Sequence, residues 1–203
     1  MDKSLSPLFW AIDNGEKFEA RAMVKCAIAA SRHLDSIPES LHIALQTAAN
    51  KGHTCLVELL LKVERINPNF GGPDGDLTPL ALAAINGHVS IVELLLAEAN
   101  VDSNVMLPSG DHILPHSASN GWHAIVKSLL DRPELDPNFI ARALMQVREP
   151  AMAKLLLDRE YIDVNSQDYR GWTALSYADR FEVVKLLLDR DDINVNIQSM
   201  RPC

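Results

Sequence analysis

The chain has 203 residues, 47% of them hydrophobic, so it carries enough apolar side chain for a sizeable core and is not a disordered polymer. Acidic residues number 27 against 19 basic ones, and the net charge of −8 excludes a phosphate backbone or an anionic membrane as the main partner. The apolar runs are short and Met1–Pro7 does not read as a secretion signal, so the chain reads as soluble and intracellular, cytoplasmic or nuclear. Cys26, Cys55 and Cys203 are odd in number and unrelated in spacing, which supports neither a disulfide framework nor a zinc site.

In chain order, the sequence repeats itself. Val57-Glu58-Leu59-Leu60-Leu61 recurs as Val92-Glu93-Leu94-Leu95-Leu96, Val126-Lys127-Ser128-Leu129-Leu130, Ala153-Lys154-Leu155-Leu156-Leu157 and Val184-Lys185-Leu186-Leu187-Leu188, at intervals of 35, 34, 27 and 31 residues. A polar element follows each stripe at short distance: Ile66-Asn67-Pro68-Asn69, Val101-Asp102-Ser103-Asn104, Leu135-Asp136-Pro137-Asn138, Ile162-Asp163-Val164-Asn165 and Ile193-Asn194-Val195-Asn196. A third element precedes the stripes in Ser6-Pro7-Leu8, Thr78-Pro79-Leu80 and Thr173-Ala174-Leu175. Pro7 and Pro79 suit the first turn of a helix, with Ser6 and Thr78 as N-caps, and Gly15, Gly52, Gly87 and Gly121 suit its end. Each unit is therefore a turn, a short helix, a second helix and a polar loop, and such a pair buries its stripe only by stacking on neighbours.

These elements resemble the ankyrin repeat, whose pattern runs Asp-x-x-Gly-x-Thr-Pro-Leu-His-x-Ala-Ala-x-x-Gly-His, then Val-Val-x-Leu-Leu-Leu, then a loop ending Asp-Val-Asn. The nearest local matches are Thr78 to Leu96 and Asp168 to Leu188, and the Ile-Asp-x-Asn loops resemble a subtype common in fungal ankyrin proteins. The resemblance implies an all-α solenoid of stacked helix-turn-helix units, one domain over 1–203. Its repeats fall at about 4–37, 38–70, 71–105, 106–138, 139–165 and 166–197, with a tail over 198–203. The fifth repeat is degenerate: Phe139 to Leu144 has no turn glycine, Pro150 opens its second helix directly, and a notch or bend is expected there.

Chemistry-bearing motifs are scarce. The sequence has no Gly-x-Ser-x-Gly elbow, phosphate-binding loop, His-Glu-x-x-His or Cys-x-x-Cys, so no cofactor and no metal is expected. Gly71 to Asp76 reads as a widened inter-repeat turn, because it has no carboxylate ladder for calcium. In the family the histidine after the capping glycine is structural, which gives His53 and His88 that role. Trp122 takes the same place in its repeat, packed between units, leaving His123 at the surface and His33 in a loop. His112 falls at the Thr78 position, where it can cap backbone, and His116 at the Leu82 position; His42 precedes the second repeat's first helix. Trp10 is expected in the core, whereas Trp172, beside Tyr169 and Arg170, either forms a contact hot spot or lies over its neighbour.

Transfer of the family's binding positions gives Leu5, Asp13 and Asn14; His42, Asn50 and Lys51; Leu77, Ile85 and Asn86; Asp111, Ser119 and Asn120; then Tyr169, Arg170, Trp172 and Asp179. This row implies a non-enzymatic module that binds a protein or peptide on its concave face, and not nucleic acid or membrane. The alternative is a small-molecule-binding protein or enzyme with a pocket near the shortened fifth repeat. Its acid–base residues would come from His42, Asp111, His112, His116 and Tyr177, with Trp172 beside them. Self-association through the C-terminal repeat is a further expectation, as is a fragment of a longer array.

Overall fold

A computed structural model describes residues 10–12, 17–31, 38–72, 77–159 and 162–198. Expectations for Leu5, Ser6, Pro7, Asp13, Asn14, Gly15, His33, residues 73–76 and residues 199–203 lie outside the described residues. Beyond a helical stretch at 10–12, the regular elements are the helices α1 (Lys17–Ser31), α2 (Glu39–Asn50), α3 (Thr54–Leu61), α4 (Pro79–Ile85), α5 (Val89–Leu96), α6 (Ile113–Ser119), α7 (His123–Leu130), α8 (Pro137–Gln146), α9 (Pro150–Leu157), α10 (Ala174–Tyr177) and α11 (Phe181–Leu188).

Local chemistry sets the helix starts. Thr78 sits at the N-cap of α4 with its hydroxyl accepting from the Ala81 N–H at 3.2 Å, and Pro79 follows in the first turn. Thr173 and Ser176 form a reciprocal capping box on α10. Gly52, Gly87 and Gly121 have φ of 78°, 68° and 74°, and each turns the chain from the first helix of a repeat into the second.

The chain divides into two units, residues 1–107 and 108–203. In the first, α2 lies on α4 and α1, α3 and α5 form the other layer; in the second, α6, α8 and α10 form one layer and α9 lies on α11 in the other. The recurrent stripes supply the core, with Val57, Leu60, Val92 and Leu95 in the first unit and Val126, Leu129, Ala153 and Leu156 in the second, all at 0% exposure. At about 25 cal/mol per Å² of apolar surface, burying each leucine contributes roughly 2 kcal/mol. Leu188 is 48% exposed whereas the corresponding Leu130 and Leu157 are 6% and 8% exposed.

The polar loops form a ladder. Within them Asp102 and Asp163 accept the N–H two residues on, at 2.8 and 2.9 Å. Asn69 reaches the next loop by donating to the Asn100 carbonyl at 2.6 Å and accepting from the Asp102 N–H at 2.9 Å. Asn165 repeats this with Asp192 and Asn194, both at 2.7 Å. The recurring asparagine thus ties one repeat's loop to the next.

Two expectations about the elements and the core need correction. The fourth polar element is not a loop throughout: Asp136 becomes an N-cap, accepting from the Asn138 N–H at 2.9 Å, and α8 starts at Pro137, ahead of the span 139–165 drawn for the fifth repeat. Asp-Pro fits a loop and a helix start equally well, and with no hairpin following, the helix takes it. Trp10 is 58% exposed rather than in the core.

Candidate functional site

The family-type histidines bridge backbone. His53 Nε2 donates to the Ile12 carbonyl at 2.8 Å, and His88 Nε2 donates to the Asn50 carbonyl at 3.1 Å. His123, expected at the surface, is half-buried and its Nδ1 donates to the Gly121 carbonyl at 2.8 Å. Trp122 meets His116 edge-on, with ring centroids 5.7 Å apart.

His42 lies inside α2 and not ahead of it, since that helix starts at Glu39. Its ring tilts against Phe70 with centroids 4.9 Å apart. Burial lowers its pKa, against the opposing effects of the Pro38 carbonyl and Glu39. His112 occupies the N-cap of α6 but its imidazole makes no capping hydrogen bond. It stacks on Phe139 at 3.7 Å, which leaves Nδ1 buried without a partner. Burial first, and then Arg142, hold its pKa below the usual value although Asp111 and Asp136 pull the other way. The expectation that His112 caps backbone through its side chain is therefore overturned, because Phe139 in the first turn of α8 offers its ring a stacking face.

Asp111 is drawn to α8. Gln146 Nε2 donates to its Oδ2 at 2.9 Å, Arg142 stands 3.4 Å from its Oδ1, and the His112 N–H also reaches Oδ1 at 2.9 Å. Among the described residues no group of three His, Cys, Asp or Glu side chains is placed to hold a metal ion.

The row transferred from the family is divided between the units. In the first, Leu77 and Ile85 are half-buried, and the Leu77 carbonyl accepts from Gln46 at 2.8 Å. Asn86 is exposed and donates to Asn50 at 3.0 Å and to the Leu82 carbonyl at 2.8 Å. Lys51 is exposed. In the second unit, Ser119 and Asn120 are exposed and turn back to the His116 carbonyl at 2.9 and 2.8 Å. Asp179 lies 3.8 Å from Arg148 and 4.0 Å from Arg180, both contacts in solvent and worth little.

The sixth repeat's hairpin gathers the aromatic residues. Asp168 Oδ1 accepts the N–H groups of Arg170 and Trp172 at 2.9 and 2.8 Å, and its Oδ2 accepts the Tyr177 hydroxyl at 2.6 Å. Burial pushes the Asp168 carboxyl upward, but the Tyr177 hydroxyl and the two N–H groups outweigh it and hold it below its usual value. Its bond to Asp168 raises the Tyr177 phenol. Trp172 lies 5.2 Å from Tyr177 and the Arg170 guanidinium sits 5.2 Å from the centre of the Tyr169 ring. Tyr169, Trp172 and Tyr177 remain 84%, 40% and 38% exposed.

Beside this hairpin, where the fifth repeat has no hairpin of its own, a cleft of about 750 Å³ opens against α8. One wall is the α8 face of Asn138, Ala141, Arg142, Met145 and Gln146; the other runs from Asp163 through Asp168 and Tyr169 to Tyr177. Of the proposed acid–base residues Tyr177 lines it, while His42, Asp111, His112 and His116 do not. The sequence reading missed the α8 wall, whose 3- and 4-residue spacing becomes a face only once the helix start at Pro137 is known.

A family model of ankyrin repeats, in three copies, matches residues 41–141 and 114–199. The chain is an ankyrin-repeat protein. No curated protein matches it. Ankyrin repeats are in general protein-interaction modules, so membership places this chain in that broad class without naming a partner. Among the described residues of this ankyrin-repeat chain, no helix is long and apolar enough to cross a membrane.

Proposed function

We propose that this ankyrin-repeat chain is a non-enzymatic module that binds a protein or peptide through its hairpin tips and the exposed ends of its first helices. The observation that carries this reading is the exposed group Tyr169, Arg170 and Trp172, braced by Asp168 and Tyr177. Rigid aromatic and arginine side chains give large contact areas at low entropic cost, and a pre-set hairpin lowers that cost further. Leu77, Ile85 and Asn86 in the first unit, and Asp111, Ser119, Asn120 and Asp179 in the second, complete the proposed contact set. An intracellular setting accords with the free, exposed thiols of Cys26 and Cys55.

The test compares affinity capture from a matched lysate by wild type, by Leu77→Ala with Ile85→Arg, and by Tyr169→Ala with Trp172→Ala, with circular dichroism confirming that all three fold. A protein retained by wild type and lost from either variant supports the reading. Equal retention by all three sinks it.

The cleft against α8 favours a second reading, small-molecule binding, because its volume lies in the range of ligand pockets. In that reading Tyr177 supplies the phenol and Asp168 the carboxylate that orients it. Dye-displacement screening of small metabolites against wild type and Tyr177→Phe tests it, and a hit insensitive to the substitution would overturn it.

A further inference from the structure

The cleft of the second unit exists because α8 starts inside a loop element and the fifth repeat carries no hairpin. Its polar lining divides into groups already engaged and groups left open. Arg142 is turned toward Asp111, and Gln146 gives its Nε2 to the same carboxylate, leaving its Oε1 open. The Asn138 carboxamide is exposed and makes no hydrogen bond among the described residues, so it offers both a donor and an acceptor. That combination matches a peptide backbone, which needs one of each. Ala141 and Met145 give the wall between these two carboxamides an apolar surface.

The opposite wall is negative. Asp163 is fixed by the Asn165 N–H at 2.9 Å and the Ser166 hydroxyl at 3.0 Å, and Asp168 by the three donors described above. Among the described residues neither carboxylate has a lysine or arginine within ion-pair distance, although the nearby Arg170 charge acts on Asp168, and the one cation lining the cleft, Arg142, faces Asp111. Tyr169 adds a ring at 84% exposure with the Arg170 guanidinium already 5.2 Å from its centre, so a cation from a partner has to use the ring surface that Arg170 leaves uncovered.

Resting on the protein-binding reading, we propose that this cleft takes an extended segment of a partner protein, which fills the place of the missing hairpin, hydrogen-bonds its backbone to Asn138 and Gln146, and sets a basic side chain against Tyr169, Asp163 and Asp168. Recognition is then divided between two walls: the carboxamides read backbone and the negative aromatic wall reads charge. The segment's side chains need to be small where it passes Ala141 and Met145.

Fluorescence anisotropy with labelled hexapeptide pools, identical except for a central arginine, glutamate or norleucine, tests the proposal on the full chain. The arginine pool should bind at least about tenfold more tightly than the glutamate pool, and the preference should shrink with added salt. Tyr169→Ala and Asn138→Ala should each weaken binding about threefold to fivefold with unchanged melting temperature, and Tyr169→Phe should restore it. Four results overturn the proposal: no binding, equal binding of the three pools, insensitivity to both variants, or equally tight binding of N-acetylarginine amide alone, which has no extended backbone to dock. The protein-binding reading fails separately: equal capture by wild type and both double variants sinks it, whereas a partner lost only from Leu77→Ala with Ile85→Arg upholds it and leaves the cleft to be judged by the peptide pools and Asn138→Ala.

Discussion

Gly52 and His88 make a prediction whose size follows from the geometry. Gly52 closes α2 with φ of 78°, and a Cβ added there would stand 2.9 Å from Cε1 and 3.1 Å from Nδ1 of His88. Two costs follow for Gly52→Ala. Left-handed backbone at a non-glycine residue costs about 1–2 kcal/mol, offset by about 0.4–1 kcal/mol from the less disordered unfolded chain, leaving roughly 1 kcal/mol. The imidazole must also move, and the bond it donates to the Asn50 carbonyl at 3.1 Å is then lost, at about 1 kcal/mol. The sum is about 2 kcal/mol. Gly110, with φ of 79° and nothing within 4 Å of its Cβ position, isolates the first cost, so Gly110→Ala should lose about 1 kcal/mol. Urea unfolding followed by circular dichroism measures both, and removal of His88 supplies the internal control. In a His88→Ala background Gly52→Ala should fall to about 1 kcal/mol, a coupling of about 1 kcal/mol in the double-mutant cycle. An equal cost of Gly52→Ala with and without His88 refutes the steric argument.

Other predictions follow from single contacts. Asn165→Ala removes two inter-loop hydrogen bonds, to Asp192 and Asn194, and should cost about 1–2 kcal/mol, felt locally as roughly tenfold faster hydrogen exchange in α11 with α6 unchanged. His112, like His42, has a folded-state pKa below its unfolded value, so the unfolded chain binds the extra proton; stability should be complete above about pH 6.5 and decline as pH falls below it, and His112→Phe should make that decline shallower, with the His42 share remaining. The Tyr177 phenol, held above the ordinary tyrosine value by its bond to Asp168, should ionise late in an alkaline titration, so Tyr177→Phe should remove tyrosinate absorbance at the high-pH end of the curve, and a loss confined to lower pH would refute the bond.

Repetition made the fold legible because each repeat states its helix start, its stripe and its loop in local chemistry. Thr78, Pro79 and Gly87 carry the same information whether or not their neighbours are known, and the structure uses them as N-cap, first turn and left-handed turn. The candidate site is legible only in part, for the opposite reason. Tyr169 and Trp172 stood out by type and by place in the hairpin, and both are exposed. The wall facing them depends on Asp136-Pro137, a pair whose local preference is equally satisfied by turn and helix. What decides between the two is the absence of a hairpin downstream and the stacking of Phe139, in the first turn of α8, on His112, a partner 27 residues away. The same decision takes the His112 imidazole off its cap, turns Asn138 from loop residue to helix face, and brings Gln146 to Asp111. A long-range stacking contact thus goes with the conversion of one repeat's loop into the wall of a cleft, so the lost hairpin leaves an opening where the other repeats have a hairpin tip.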